Sequence, residues 1–170
     1  MTIAEIALKY VGEQEITGNM GFHDPVFERR MREIGFDDGD AWCCLFAELV
    51  WKEYYQDDPI VFNEIDALFS DSCIATLSNF RQSRFKVNHT PELGAIMIMQ
   101  HYNKDGENYI ATWQGHAGIV VDIQDKEIVT VEGNTNSKGG REGIEVALKT
   151  RLLNFNLRPG LIIKAFIHPL

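Results

Sequence analysis

Pro91 divides the chain into two halves whose apolar residues follow different periods. Upstream, apolar side chains recur with the three-to-four-residue spacing of amphipathic helices. Downstream, short Ile/Val-rich runs alternate as strands do. The upstream half predicts helices over 2–10, ending near Gly12, over 25–34, opening on Pro25, over 41–55 and over about 71–81. In AWCCLFAELVWKEYY (41–55) the polar residues Glu48, Lys52 and Glu53 share one narrow stripe, so this helix is expected to be buried on most of its surface. The downstream half predicts strands over 93–100, 116–123, 126–133 and 160–167, with a weaker one over 143–149. DIQDKEI reads as a tight hairpin. Helices followed by strands give an α+β class with an antiparallel sheet. With 170 residues and no repeat or linker, 1–170 is expected to form a single catalytic domain, acting as a monomer.

Charge narrows the function classes. A net charge of −9 repels phosphate backbones and anionic lipid, so no nucleic-acid partner and no membrane surface is expected. No apolar run approaches the roughly 20 residues needed to cross a bilayer. MTIAEIALKYVGEQE lacks the basic start, apolar stretch and cleavage site of a signal peptide, which implies synthesis in a cytoplasm.

Cys43, Cys44 and Cys73 are an odd set with two adjacent members, a poor disulfide framework. No C-x-x-C or H-x-x-x-H pair supports zinc, and FDDGD lacks the distal glutamate of a calcium loop, so neither metal nor cofactor is expected. A thiol with a chemical task remains. Cys43 stands at the start of the buried helix, where unpaired N–H groups and the helix dipole favour a thiolate, with Asp40 as the expected N-cap. Buried free cysteines are also ordinary core residues, and that alternative applies to both members of the pair. Cys44 shares a stripe with Glu48, whose charge would oppose ionisation. Cys43 aligns with Phe46, Ala47 and Val50, so Cys43 is the expected nucleophile and Cys44 a core residue.

Among five histidines, His23, His89, His101 and His168 read as solvated turns, loops or chain end. His116 lies between Gly115 and Ala117 and opens an Ile/Val strand, a fixed position for a general base with space on each side. Glu132 and Asn134 lie two apart on the next strand, so both are expected to face His116 and to hold its tautomer, Glu132 the closer. A strand end followed by a polar turn fits VEGNTN equally. SKGGREG (137–143) is read as a loop, since it lacks a phosphate-binding pattern.

These segments together resemble the CHAP family (cysteine, histidine-dependent amidohydrolases and peptidases) and the related NlpC-type cell-wall peptidases, particularly compact phage endolysin-like members. ALKYVGEQEITGN resembles their opening helix and G-x-x-E-x-x-G loop. DAWCCLFAELVW resembles the helix in which the cysteine after tryptophan is the nucleophile. TPELGAIMIM resembles a P-x-x-G-D strand, with Ala95 where aspartate is usual, and GHAGIVV the G-H-v-G-i-v strand. VEGNTNSKGGREGIEVALKTR resembles the E-G-N-T-N…R-E-G…K-x-R segment. The resemblance implies a papain-like fold and a Cys43–His116 pair supported by Glu132, with Asn134 as a further member. It implies a bacterial or phage enzyme that cuts an amide bond in peptidoglycan peptides. Two candidate bonds follow, the lactyl–alanine amide and a bond within the stem or cross-link. The second is preferred because no sugar-binding segment is visible. A papain-like protease or acyltransferase acting on proteins, and an inactive wall-binding module, are the alternatives.

Overall fold

The computed structural model describes residues 1–135 and 143–170; residues 137–142 of SKGGREG therefore lie outside the described residues. Among the described residues five helices precede six strands: α1 (Ile3–Lys9), α2 (Pro25–Glu33), α3 (Cys43–Tyr54), α4 (Pro59–Leu68), α5 (Cys73–Arg81), β1 (Val87–Asn88), β2 (Ile96–Asp105), β3 (Asn108–Ile123), β4 (Glu127–Thr135), β5 (Glu145–Leu152) and β6 (Gly160–Ile167). The sheet is antiparallel in the order β1-β6-β2-β3-β4-β5. The α+β class with helices first and the sheet second is as the two periods predict.

α3 is the central helix. Ten of its twelve residues are buried, Cys43 through Lys52, because it packs on β3 and β4 on one side and on α1, α2 and α4 elsewhere. Alternate residues of the sheet, among them Ile96, Ile98, Ala117, Ile119 and Val131, share a core with the helices. The intervening residues, including Ala95, Met97, Met99, Val120 and Phe166, form a second, smaller core on the opposite face. Ala95 is fully buried there, an apolar environment in which an aspartate would lose its hydration.

The structure differs from the sequence expectations in three places: the short strand β1, helix α4 and the hairpin between β2 and β3. α4 is additional, and its start signal was present: Asp58 caps it through the N–H groups of Ile60 and Val61, with Pro59 in the first turn. Residues 101–113, left between the strands expected over 93–100 and 116–123, extend both of them: β2 and β3 run together to Asp105↔Asn108 across a turn at Gly106. The polar composition of this hairpin hides its alternation, since its outer half lies beyond both cores.

Candidate active site

Four of the five helices begin with a side-chain cap: Thr2, Asp24, Asp58 and Ser72 accept from first-turn N–H groups of α1, α2, α4 and α5. α3 begins with none. Its N-cap is Trp42, not Asp40, whose carboxylate instead accepts from the Asp37 N–H and closes the FDDGD turn. A missing cap costs a helix about 1 kcal/mol, and here it leaves the N–H groups of the first turn pointing out of the helix end beside Cys43. Trp42 is held by an Nε1–H···Oε2 bond of 2.8 Å to buried Glu15. Gly133 of β4 lies directly against it: a Cβ there would come within 2.6 Å of the Trp42 ring and 2.7 Å of Phe46 Cβ. The absence of that Cβ lets the start of α3 press onto β4, and so brings Cys43 to the strands that carry histidine and glutamate.

Cys43 and His116 line one cleft of about 1170 Å³, with Asn134, Cys73, His101 and Trp113 among its other walls. His116 Nε2 lies 2.7 Å from Glu132 Oε2. A carboxylate only accepts, so Nε2 carries the proton and Nδ1 is the nitrogen available to the thiol. Glu132 is fully buried, and its oxygens are saturated: Oε1 accepts from Thr130 Oγ1 at 2.6 Å and Arg151 Nε at 2.8 Å, and Oε2 accepts from Arg151 Nη2 at 2.6 Å as well as from His116. Its side chain reaches His116 by crossing Gly118, where a Cβ would lie 2.6 Å from Glu132 Cγ.

The electrostatics follow from these neighbours. Burial raises the Glu132 pKa, but the charge of His116 and the Arg151 hydrogen bonds outweigh it and hold the carboxyl well below the usual range. Burial lowers the His116 pKa, and the charges of Glu132 and Cys43 reverse this and raise it to about 10. The Cys73 thiol, its sulfur 3.7 Å away, is the largest influence lowering the Cys43 pKa. Burial opposes, and the His116 charge, its hydrogen bond and the Ala117 backbone add to the lowering, which takes the thiol well below 9. The arrangement favours a thiolate–imidazolium pair, the charge state needed for attack on a carbonyl carbon.

The structure thus brings Cys43, His116 and Glu132 together. Asn134 reaches the same cleft by a different route. The register of β4 breaks between Glu132 and Thr135, and Asn134 has φ 49°, so the simple two-residue alternation ends before it. Its side chain lines the cleft but makes no hydrogen bond to His116, whose ring is bonded to Glu132. Cys44 is fully buried and donates to Thr76 Oγ1 at 3.4 Å, outside the cleft lining. Glu48 is a weaker argument against Cys44 than its sequence position implied: burial raises its pKa to about 7, so much of its charge is lost near neutrality. Its position, buried and off the cleft lining, sets Cys44 apart from Cys43 instead.

Two of the histidines expected to be solvated are drawn into the fold, one fully and one in part. His168 is buried, bonded through Nδ1 to Glu92 and through Nε2 to Asn88. His101 lies on β2 and lines the cleft. The sequence reading also missed Arg151, Thr130, Gly118 and Cys73. The motif segment ending in Arg151 carried a signal for it, but nothing in the spacing placed that residue over Glu132, nineteen positions away. Among the described residues no group of three or more His, Cys, Asp and Glu is placed to hold a metal ion, and no helix is long and apolar enough to cross a membrane.

The family model described as the CHAP domain matches residues 35–134, more than half of the chain, from just before the FDDGD turn to Asn134. Comparisons with the curated proteins and with the solved structures gave no match.

Proposed function

The chain belongs to the CHAP domain family, and on that premise we propose that it is a peptidoglycan hydrolase that cuts an amide bond of wall peptides, with Cys43 as nucleophile and His116 as its acid–base partner. The observation that carries this reading is the alignment, on one cleft, of a thiol at an uncapped helix N-terminus with an imidazole fixed from behind by a buried carboxylate. Residues 1–170 act in this reading as one catalytic unit without metal or cofactor.

Because the lowered thiol and raised imidazole pKa values favour the ion pair, the proton already resides on His116 before substrate arrives. The Cys43 thiolate attacks the amide carbonyl carbon. The oxyanion that forms lies at the start of α3, where free N–H groups and the helix dipole meet it. His116 delivers its Nδ1 proton to the leaving nitrogen, the C–N bond breaks, and a thioester to Cys43 remains. A water molecule, deprotonated by the now neutral Nδ1, releases the acid and restores the thiolate. Glu132 keeps Nε2–H oriented throughout, and Arg151 and Thr130 keep Glu132 in place. Asn134 is assigned to the substrate side of the cleft.

Purified cell walls digested with the enzyme and with Cys43→Ala test the reading. New free amines without new reducing sugar ends, lost in the variant, are expected. Cleavage of general protein substrates with walls left intact would replace it by a protease, and new reducing ends would defeat it.

A further inference from the structure

The β2–β3 hairpin carries a defect at the cleft. Tyr102 pairs with Ala111 and Gln100 with Gly115, so the single residue His101 on β2 faces three on β3: Thr112, Trp113 and Gln114. Two surplus residues exceed the usual two-against-one count and make a special bulge, a device that re-aims side chains and recurs beside active sites. This one is stapled. Gln100 Nε2 donates to the Thr112 carbonyl at 2.9 Å, Thr112 Oγ1 to the His101 carbonyl at 3.1 Å, and the Gln114 N–H to Thr112 Oγ1 at 3.3 Å. At its tip the Trp113 indole is 84% exposed, the most exposed large apolar side chain of the described residues, while Trp42 and Trp51 are fully buried.

The surroundings of Trp113 define what it would hold. Facing the bulge, His101 lines the cleft, and its Nδ1 is buried without a hydrogen-bond partner among the described residues. A buried polar atom left in that state is destabilising unless something answers it. Asn103 and Gln114 add amide donors and acceptors on the same wall. Among the described residues, the lining of this wall includes no Lys, Arg or carboxylate. The two acids of the cleft, Asp40 and Asp71, come from the helical side. An apolar peptide side chain would call for a walled apolar pocket, and a charged one for an opposite charge. A flat aromatic face rimmed by uncharged hydrogen-bonding groups instead matches a pyranose ring, which has an apolar face of C–H groups and an equator of hydroxyl and acetamido groups.

We propose that the Trp113 bulge and His101 form a glycan subsite that seats an N-acetylated amino-sugar ring beside the scissile amide. The proposal rests on the peptidoglycan reading above and deepens it. The hairpin supplies the sugar-binding segment whose apparent absence from the sequence favoured a bond within the stem or cross-link. Substrates that retain their sugar should therefore be preferred over free stem peptides. Trp113 acts here as a specificity residue, and the reacting atoms stay with Cys43 and His116.

The test separates sugar binding from turnover. Trp113 is the exposed indole, so iodide quenching of tryptophan fluorescence reads it selectively. Titration with β-1,4-linked N-acetylglucosamine tetramer should cut the iodide-quenchable signal at least twofold, and a free stem peptide at equal concentration should not. Trp113→Ala should lose this protection, and Trp113→Phe should keep part of the affinity. On sugar-bearing muropeptides Trp113→Ala should raise KM at least tenfold with kcat within twofold. Circular dichroism of both variants verifies the fold. Absence of protection by the tetramer, or protection by the peptide alone, overturns the subsite. Protection by the tetramer in an enzyme that cuts no wall amide leaves the subsite standing and defeats the proposed function, and amide cleavage without protection does the reverse.

Discussion

Gly118→Ala is the sharpest test of how the acid–base pair is held. The added Cβ would stand 2.6 Å from Glu132 Cγ, 3.4 Å from Glu132 Cδ and 3.3 Å from Thr130 Cβ. Carbon atoms settle near 3.5–4.0 Å apart, so the glutamate stem must retreat by about 1 Å. It has no slack to do so, because its oxygens hold four contacts of 2.6–2.8 Å. A retreat of that size stretches the His116 bond beyond hydrogen-bonding range. Loss of one charge-assisted hydrogen bond is worth about 1.5–3 kcal/mol, which is roughly ten- to a hundredfold in rate. Overpacking a full site adds about 1–3 kcal/mol of lost stability. The assay is amine release from purified walls, with thermal unfolding run in parallel. Gly35→Ala is the control: its Cβ meets nothing within 4 Å but its φ is +99°, so it should lose stability and keep its turnover. A Gly118→Ala enzyme with turnover within twofold of wild type and unchanged melting temperature would refute the orienting role of Glu132.

Four further outcomes follow from the same geometry. Cys43 should react with iodoacetamide well below pH 9, because its pKa is lowered, and turnover should fall as pH rises through about 10, where His116 loses the proton it must deliver; an alkylation midpoint at pH 9 would contradict the ion pair. Arg151→Met strips two hydrogen bonds from a fully buried carboxylate and should cost about 3 kcal/mol, measured by urea unfolding above pH 5; in wild type the lowered Glu132 pKa contributes stability that is complete above its unfolded value near 4.5 and is lost as pH falls through the folded value. Cys43→Ala should abolish turnover, whereas Cys44→Ala should keep it and lose about 1 kcal/mol through lost packing, with kinetics and melting temperature as the readouts. A chelator should leave activity unchanged, and inhibition reversed by calcium or zinc would contradict the metal-free mechanism.

The sequence by itself determined the class of fold and the direction of the chemistry. Those signals are local: apolar periods of 3.6 and 2, a proline at a helix start, a thiol at a helix N-terminus, a histidine between small residues on a strand. Each is written within a dozen residues, so the backbone reads it before any long-range contact forms. Glu132 was legible for the same reason, since one hairpin separates its strand from that of His116. The tertiary structure alone decided how these residues are held. Arg151 reaches Glu132 only because β5 pairs beside β4. Gly118 and Gly133 matter because of side chains that cross them from other elements. Cys73 approaches Cys43 because two helix starts converge across 30 positions of sequence. Asn134 and Trp113 owe their directions to breaks in strand register, and a one-residue slip reverses the face that simple alternation assigns. His168 looked solvated in the chain and is enclosed in the fold, and His101 is half-buried in the cleft wall, because burial is set by what packs over a residue, which no neighbour in sequence records.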